Sequence, residues 1–174
     1  MDLTPGLRRI PPPDLASVGL DEPLAERIRE EIRRDGPITF ARFMELALYM
    51  PGHGYYRRPS PGPGRAGDFL TAPEAHPIFG AAIGRLIEQG WDALGRPSPF
   101  TIMESGAGTG ALAAGLLGAL RDLGSPLLAA IRYHPVEVEP ARIETLRERL
   151  AAEGFAGTLV DVGDESGAFS AGAI

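Results

Sequence analysis

Between residues 100 and 120 the hydrophobic pattern changes its period. Phe100, Ile102 and Met103 form a short apolar run, and Leu112, Leu116 and Leu120 then recur every four residues. The run predicts a buried strand over Phe100 to Met103, and the fourfold recurrence predicts a helix. Glu104 stands at the strand's end, and glycines follow at 106, 108 and 110. A strand, a glycine turn and a helix start together predict backbone N–H groups turned toward a bound ligand.

Upstream, Leu24, Ala25, Ile28 and Ile32 make one stripe of a helix whose other faces carry Glu26, Arg27, Glu30, Glu31 and Arg34. Gly36 and Pro37 stop it. Thr39 is placed to cap a second helix with Phe40, Phe43, Met44, Ala47 and Leu48 on one face, ended by Pro51. In the stretch 51–77, Gly52 and Gly54 bracket His53 in a turn, Tyr55 and Tyr56 suggest a short strand, and 59–67 reads as a loop. Thr71 and Glu74 have capping-box spacing. A first turn then ends near His76, and a long helix restarts at Pro77. Its Ile78, Phe79, Ala82, Ile83, Leu86, Ile87, Trp91 and Leu94 predict a wide apolar face that covers a sheet edge.

Downstream of the glycine turn, 123–130 reads as a connection and Ile131 to Val138 as a second strand. Pro135 within it predicts a bulge or a locally unpaired position. Pro140 opens a helix with Ile143, Leu146 and Leu150 inward, Gly154 closes it, and Thr158 to Val162 suggests a third strand. The pattern divides the chain into an irregular arm (1–21), a helical N-terminal segment with a Gly/Pro-rich loop (22–96), a partial Rossmann-like cofactor-binding domain (97–162) and an unassigned tail (163–174).

Composition narrows the function. A length of 174 residues with 44% hydrophobic content supports one globular α/β domain. Net charge −6 argues against nucleic acid as a partner. The absence of cysteine removes disulfides, thiolate catalysis and cysteine-ligated metals. It also suits a cytoplasmic location, as does an N-terminus without an apolar signal core. No run approaches the ~18 apolar residues of a membrane span. His53, His76 and His134 are scattered without metal-ligand spacing, so no metal is expected.

The glycine turn admits two ligand classes. Gly106-x-Gly108-x-x-Ala111 satisfies the dinucleotide pattern, but Glu104 would then lie beside two phosphates. The next strand-end acids, Glu137 and Glu139, also lie beyond the ~20 residues expected for a ribose acid. No Gly-Lys-Ser/Thr follows for a phosphate loop. A cationic adenosine cofactor, S-adenosyl-L-methionine, fits instead. Glu104 would hold its ammonium, the turn at Gly106, Ala107, Gly108 and Gly110 its methionine and ribose portions, and Glu137 or Glu139 its ribose hydroxyls. A dinucleotide oxidoreductase remains the weaker alternative.

Four segments resemble a known family: GPITFARFMELALYMPGHGYY at 36–56, GDFLTAPEAHPIFG at 67–80, MESGAGTG at 103–110 and YHPVEVEP at 133–140. They are similar to class I S-adenosylmethionine-dependent methyltransferases of the MidA-like group, also described as the NDUFAF7 protein arginine methyltransferase family. The resemblance covers residues 22–152. It implies a Rossmann-like fold with Glu104, Gly106, Gly108 and Gly110 in the cofactor loop and Glu137 as the acid closing the second strand. It places Asp68, Thr71, Pro73 and Glu74 near the cofactor cleft, with Asp68 and Glu74 the candidate catalytic carboxylates. It further implies methyl transfer to a protein arginine, by analogy on a respiratory complex I subunit. Family members are longer, with more strands than the three legible here, which suggests a truncated chain. An inactive remnant or interaction module that kept the cofactor loop is the alternative from another class.

Overall fold

The computed structural model describes residues 21–58 and 70–160. These fall in two compact units, one within Met1–Pro59 and one within Ser60–Ile174. Asp68, most of the Gly/Pro-rich loop, residues 161 and 162 of the expected third strand, and the tail lie outside the described residues.

In the first unit, α1 spans Glu22–Asp35 and α2 spans Phe40–Tyr49. The Asp21 carboxylate accepts from the Leu24 amide at 3.0 Å and caps α1, and Gly36 ends that helix at a φ of 87°. Thr39 caps α2 by accepting from Arg42 N at 3.1 Å. Arg42 also donates from Nε to Glu31 of α1 at 2.7 Å, which joins the two helices by an ion pair. Tyr55 and Tyr56 are not a strand. Their amides donate to the carbonyls of Ala47 and Leu48, both at 2.9 Å. Those carbonyls belong to the last turn of α2 and have no partner inside the helix, so the chain folds back over the helix end. Gly54 makes that return possible, since a Cβ there would lie 2.5 Å from Met50 N.

The second unit contains a parallel pair, β1 (Phe100–Ser105) and β2 (Ile131–Val136). Before them come the short α3 (Ala72–Ala75) and the long α4 (Ile78–Ala93). The helix α5 (Ala111–Asp122) and the short α6 (Leu127–Ala130) connect the strands, and α7 (Pro140–Ala152) follows. Residues 123–130 are therefore more than a connection, because α6 buries Leu127 completely. After α7, a 3-10 turn at Ala156–Thr158 leads to a single parallel bridge between Leu159 and Tyr133, on the side of β2 away from β1.

Strand register places Phe100 opposite Ile131, Ile102 opposite Tyr133 and Glu104 opposite Pro135. The first two pairs belong to the core with Leu116, Leu117, Leu120, Leu146 and Leu150. On the opposite face Met103 is 53% exposed, so β1 is buried on one face rather than both. Pro135 interrupts none of the pairing with β1. Val136 O faces β1, accepting from Gly106 N at 2.7 Å, so the alternation of the strand turns position 135 the other way.

The contact face of α4 is rotated from the stripe of large apolar residues. Gly80, Gly84 and Trp91 are the buried positions, whereas Ile78, Leu86 and Leu94 are largely exposed. The reason is close approach to α5: a Cβ on Gly80 would lie 2.6 Å from the backbone of Gly115. Glycines on both helices let the backbones come together, and the bulky residues of α4 flank that seam.

Candidate functional site

The end of β1, the turn after it and the segment following β2 converge on one corner of the second unit. Glu104 shares its face of β1 with the core residues Phe100 and Ile102. Its carboxylate accepts from the Tyr133 hydroxyl at 2.5 Å. Burial pushes the Glu104 carboxyl above its ordinary range; the Tyr133 bond opposes that shift, and the negative charge of Glu137 adds to it. Tyr133 is completely buried, and burial together with the adjoining carboxylate raises its phenol far above the usual range.

The turn itself is held from within. Gly106 N and Ala107 N both donate to Val136 O, at 2.7 and 3.1 Å, and Gly110 N donates to Ala107 O at 3.0 Å. Gly108 N donates to Glu137 at 2.9 Å. The other oxygen of Glu137 accepts from Val138 N at 2.8 Å and Glu139 N at 3.1 Å, with Arg142 at 4.0 Å. These four turn amides face inward, contrary to the sequence expectation. The two strands end together at Ser105 and Val136, so the last carbonyl of β2 captures two amides of the turn, and a buried carboxylate captures a third.

What remains open is the outer surface of the turn. Gly106 and Gly108 have φ values of 72° and 55°, and no protein atom comes closer than 4.0 Å to a Cβ built on either. Side-chain-bearing residues are strained there although the space is empty. Gly110 differs: its φ is 78°, and a Cβ would meet Leu146 Cγ at 2.8 Å, so this glycine serves the packing of α7. The Ala107 side chain lies in the core. Helix α5 starts at Gly110 with no side-chain cap.

Other sequence-selected residues lie elsewhere. Glu74 accepts from Thr71 N at 3.2 Å and Thr71 Oγ1 at 2.9 Å, which caps α3. It also rims a groove of about 660 Å3 along α5, floored by Ala111, Ala114, Gly115 and Gly118. Neither Glu104 nor Gly106 nor Gly108 lines that groove. His76 Nδ1 accepts from Ile78 N at 3.1 Å, and His53 pairs with Asp21 at 3.1 Å. Among the described residues no group of three or more His, Asp or Glu could hold a metal. No helix among them is long and apolar enough to cross a membrane. The partnership of Tyr133 with Glu104 escaped the sequence reading, because the two lie 29 positions apart and meet only through strand register.

Comparison with known proteins sharpens this picture. Residues 82–166 match a family model described as "Putative S-adenosyl-L-methionine-dependent methyltransferase". The fold aligns, at a TM-score of 0.67 and 40% identity, with a COG1565 superfamily member from Burkholderia thailandensis bound to S-adenosyl-homocysteine. The chain belongs to this methyltransferase family. The alignment covers 87% of this chain and 40% of that one. The mitochondrial protein arginine methyltransferase NDUFAF7 homolog of Drosophila melanogaster is 39% identical over 117 residues, which is 67% of this chain and 26% of the fly protein. The human NDUFAF7 protein is 35% identical over 144 residues, 79% of this chain and 32% of the human protein. The chain thus spans about a quarter to a third of the length of these curated relatives. Their names place them in mitochondria, which corrects the cytoplasmic expectation. Cysteine content and the lack of an apolar signal core do not distinguish two reducing compartments.

Proposed function

We propose that the corner around Glu104 is the cofactor end of an S-adenosyl-L-methionine-dependent methyltransferase acting on a protein side-chain nitrogen. The observation that carries this is the half-buried Glu104 carboxylate beside a turn whose two glycines leave open space at strained φ values. A negative group held partly out of water favours a cationic neighbour and opposes a pyrophosphate. S-adenosyl-L-methionine, when bound, supplies an electrophilic methyl group on a sulfonium. Glu104 receives its ammonium, and the outer surface of Gly106 and Gly108 receives the methionine and ribose portions. Glu137 fastens the turn and keeps one lone pair, on Oε2, for a ribose hydroxyl.

Residues 97–162 form the cofactor-binding part in this assignment, and 22–96 the helical segment before it. The acceptor is an arginine, by analogy with the names of the relatives, and a respiratory complex I subunit is the protein we assign to it. In-line transfer breaks the methyl–sulfur bond, forms a methyl–nitrogen bond and releases a proton from the acceptor. Asp68 and Glu74 are the carboxylates we assign to orienting a guanidinium and balancing its growing charge.

The test is calorimetric titration of the chain with S-adenosylhomocysteine and with NADH. Binding of the first that is weakened by Glu104→Gln supports the assignment. Binding of NADH alone supports the dinucleotide reading instead. The exposure of Met103 on β1 favours a second reading, an interaction module that kept the turn by descent, and that reading predicts binding of neither ligand.

A further inference from the structure

We propose that Tyr133 is a positioning residue for the cofactor: its hydroxyl fixes the direction of the Glu104 carboxylate and keeps it ionised, so that it meets the ligand ammonium as an anion. The inference rests on the assignment of Glu104 to that ammonium and goes one residue behind it.

The geometry is specific. Tyr133 sits opposite Ile102 in the parallel pair, two positions before the register partner of Glu104. It is 1% exposed, and its phenol ends on Glu104 Oε2. The amides of Gly106, Ala107, Gly108 and Gly110 do not serve a carboxylate on this face of β1, because they are taken by Val136 O, Glu137 and Ala107 O. The titratable groups that bear on Glu104 are therefore Tyr133 from β2 and Glu137 beyond its end, the latter beside Arg142 of α7. Glu137 opposes the charge on Glu104. Tyr133 supports it, since a hydrogen bond to a carboxylate favours the ionised form. That bond occupies one oxygen and leaves the other for the ligand.

Tyr133 is equally suited by being unable to compete. Its phenol stays protonated throughout the working range, because both burial and the carboxylate oppose its ionisation. It is a permanent donor, and the carboxylate alone changes state with pH.

The experiment has two arms on the whole chain. In the first, the carboxyl carbon of Glu104 is followed by NMR against pH without ligand, in the parent and in Tyr133→Phe. The midpoint moves to higher pH in the variant if the hydroxyl supports the anion, and an unchanged or lowered midpoint overturns the proposal. In the second, S-adenosylhomocysteine is titrated calorimetrically at pH values on either side of the Glu104 midpoint that the first arm finds. Tyr133→Phe weakens binding by about tenfold, with the loss greater at the acid end. A uniform loss at all pH values reduces Tyr133 to a packing role and overturns the proposal. If Glu104→Gln leaves affinity unchanged, it is the cofactor assignment that falls, and the first arm still decides what Tyr133 does to Glu104. If Tyr133→Phe does not fold, 3-fluorotyrosine placed at position 133 asks the same question with a stronger donor. It lowers the Glu104 midpoint, or the proposal fails.

Discussion

The Glu137 carboxylate holds the Gly108 amide at 2.9 Å across 29 positions of sequence. With Val138 N and Glu139 N on its other oxygen, one side chain organises both the turn after β1 and the exit from β2. The two segments that approach the candidate cofactor corner are thus tied to each other through a single buried group.

Glu137→Gln disturbs that tie without changing its size. One carboxylate oxygen becomes an NH2 group directed at a backbone N–H, leaving donors without acceptors. Each such buried orphan costs about 1–3 kcal/mol. Urea denaturation of the variant shows a loss of that order, and an unchanged midpoint would mean that the turn holds itself.

The seam between α4 and α5 distinguishes two glycines that look alike in sequence. A Cβ at Gly80 would lie 2.6 Å from Gly115 C and 2.7 Å from Leu116 N, both backbone atoms that cannot step aside. Gly80→Ala forces the helices apart and costs about 1–3 kcal/mol. A Cβ at Gly84 meets its nearest neighbour at 3.5 Å, an ordinary contact. Gly84→Ala stabilises by about 0.5–1 kcal/mol through helix propensity. Thermal melts of the pair should move in opposite directions.

That seam also shows where sequence reading stops. Caps and breaks were legible because one or two neighbours decide them: Thr39 before α2, Gly36 after α1, Gly154 after α7. The strand ending at Glu104, the glycine turn and α5 were legible because their periodicities contrast sharply. The face of α4 was not, since hydropathy gives weight to Ile78 and Leu86 and none to the glycines that admit α5. Tyr55 and Tyr56 suggest a strand by propensity, yet two unpaired carbonyls at the end of α2 draw their amides into turns. The inward amides of the glycine turn depend on where the last carbonyl of β2 lies against the end of β1, a matter of register that no local pattern carries.

Stability should depend on pH through Glu104 with an unusual sign. Its carboxyl is raised above the unfolded value, chiefly by burial, so the folded chain binds this proton more tightly than the unfolded chain. Protonation of Glu104 therefore favours folding, and that contribution is lost as pH rises from the unfolded value through the raised one. Asp21, Glu26, Glu31 and Asp35 in the first unit are lowered by hydrogen bonds, so they act oppositely and favour folding less as pH falls. Glu104→Gln is more stable than the parent at neutral pH, and the two converge in acid. Denaturation curves over a pH series check this; a variant that is less stable at pH values where Glu104 is ionised contradicts the burial of its charge.

The contact of Gly110 with Leu146 makes the sharpest test of how α7 supports the turn. A Cβ at Gly110 would lie 2.8 Å from Leu146 Cγ and 3.3 Å from its Cβ and Cδ1, at a φ of 78°. Gly110→Ala therefore meets two penalties: about 1–2 kcal/mol for a left-handed residue with a side chain, and about 1–3 kcal/mol for overpacking. Leu146→Ala empties a completely buried site and costs about 2–5 kcal/mol. The double variant removes the clash while the new methyl group takes up part of the vacated space. Only the backbone penalty and the residual cavity then remain, so the combined loss falls short of the sum of the single losses by about 1 kcal/mol or more. Strict additivity in urea denaturation would mean that α7 shifts away from Gly110 at no cost, and that Leu146 does not hold the start of α5 against the turn.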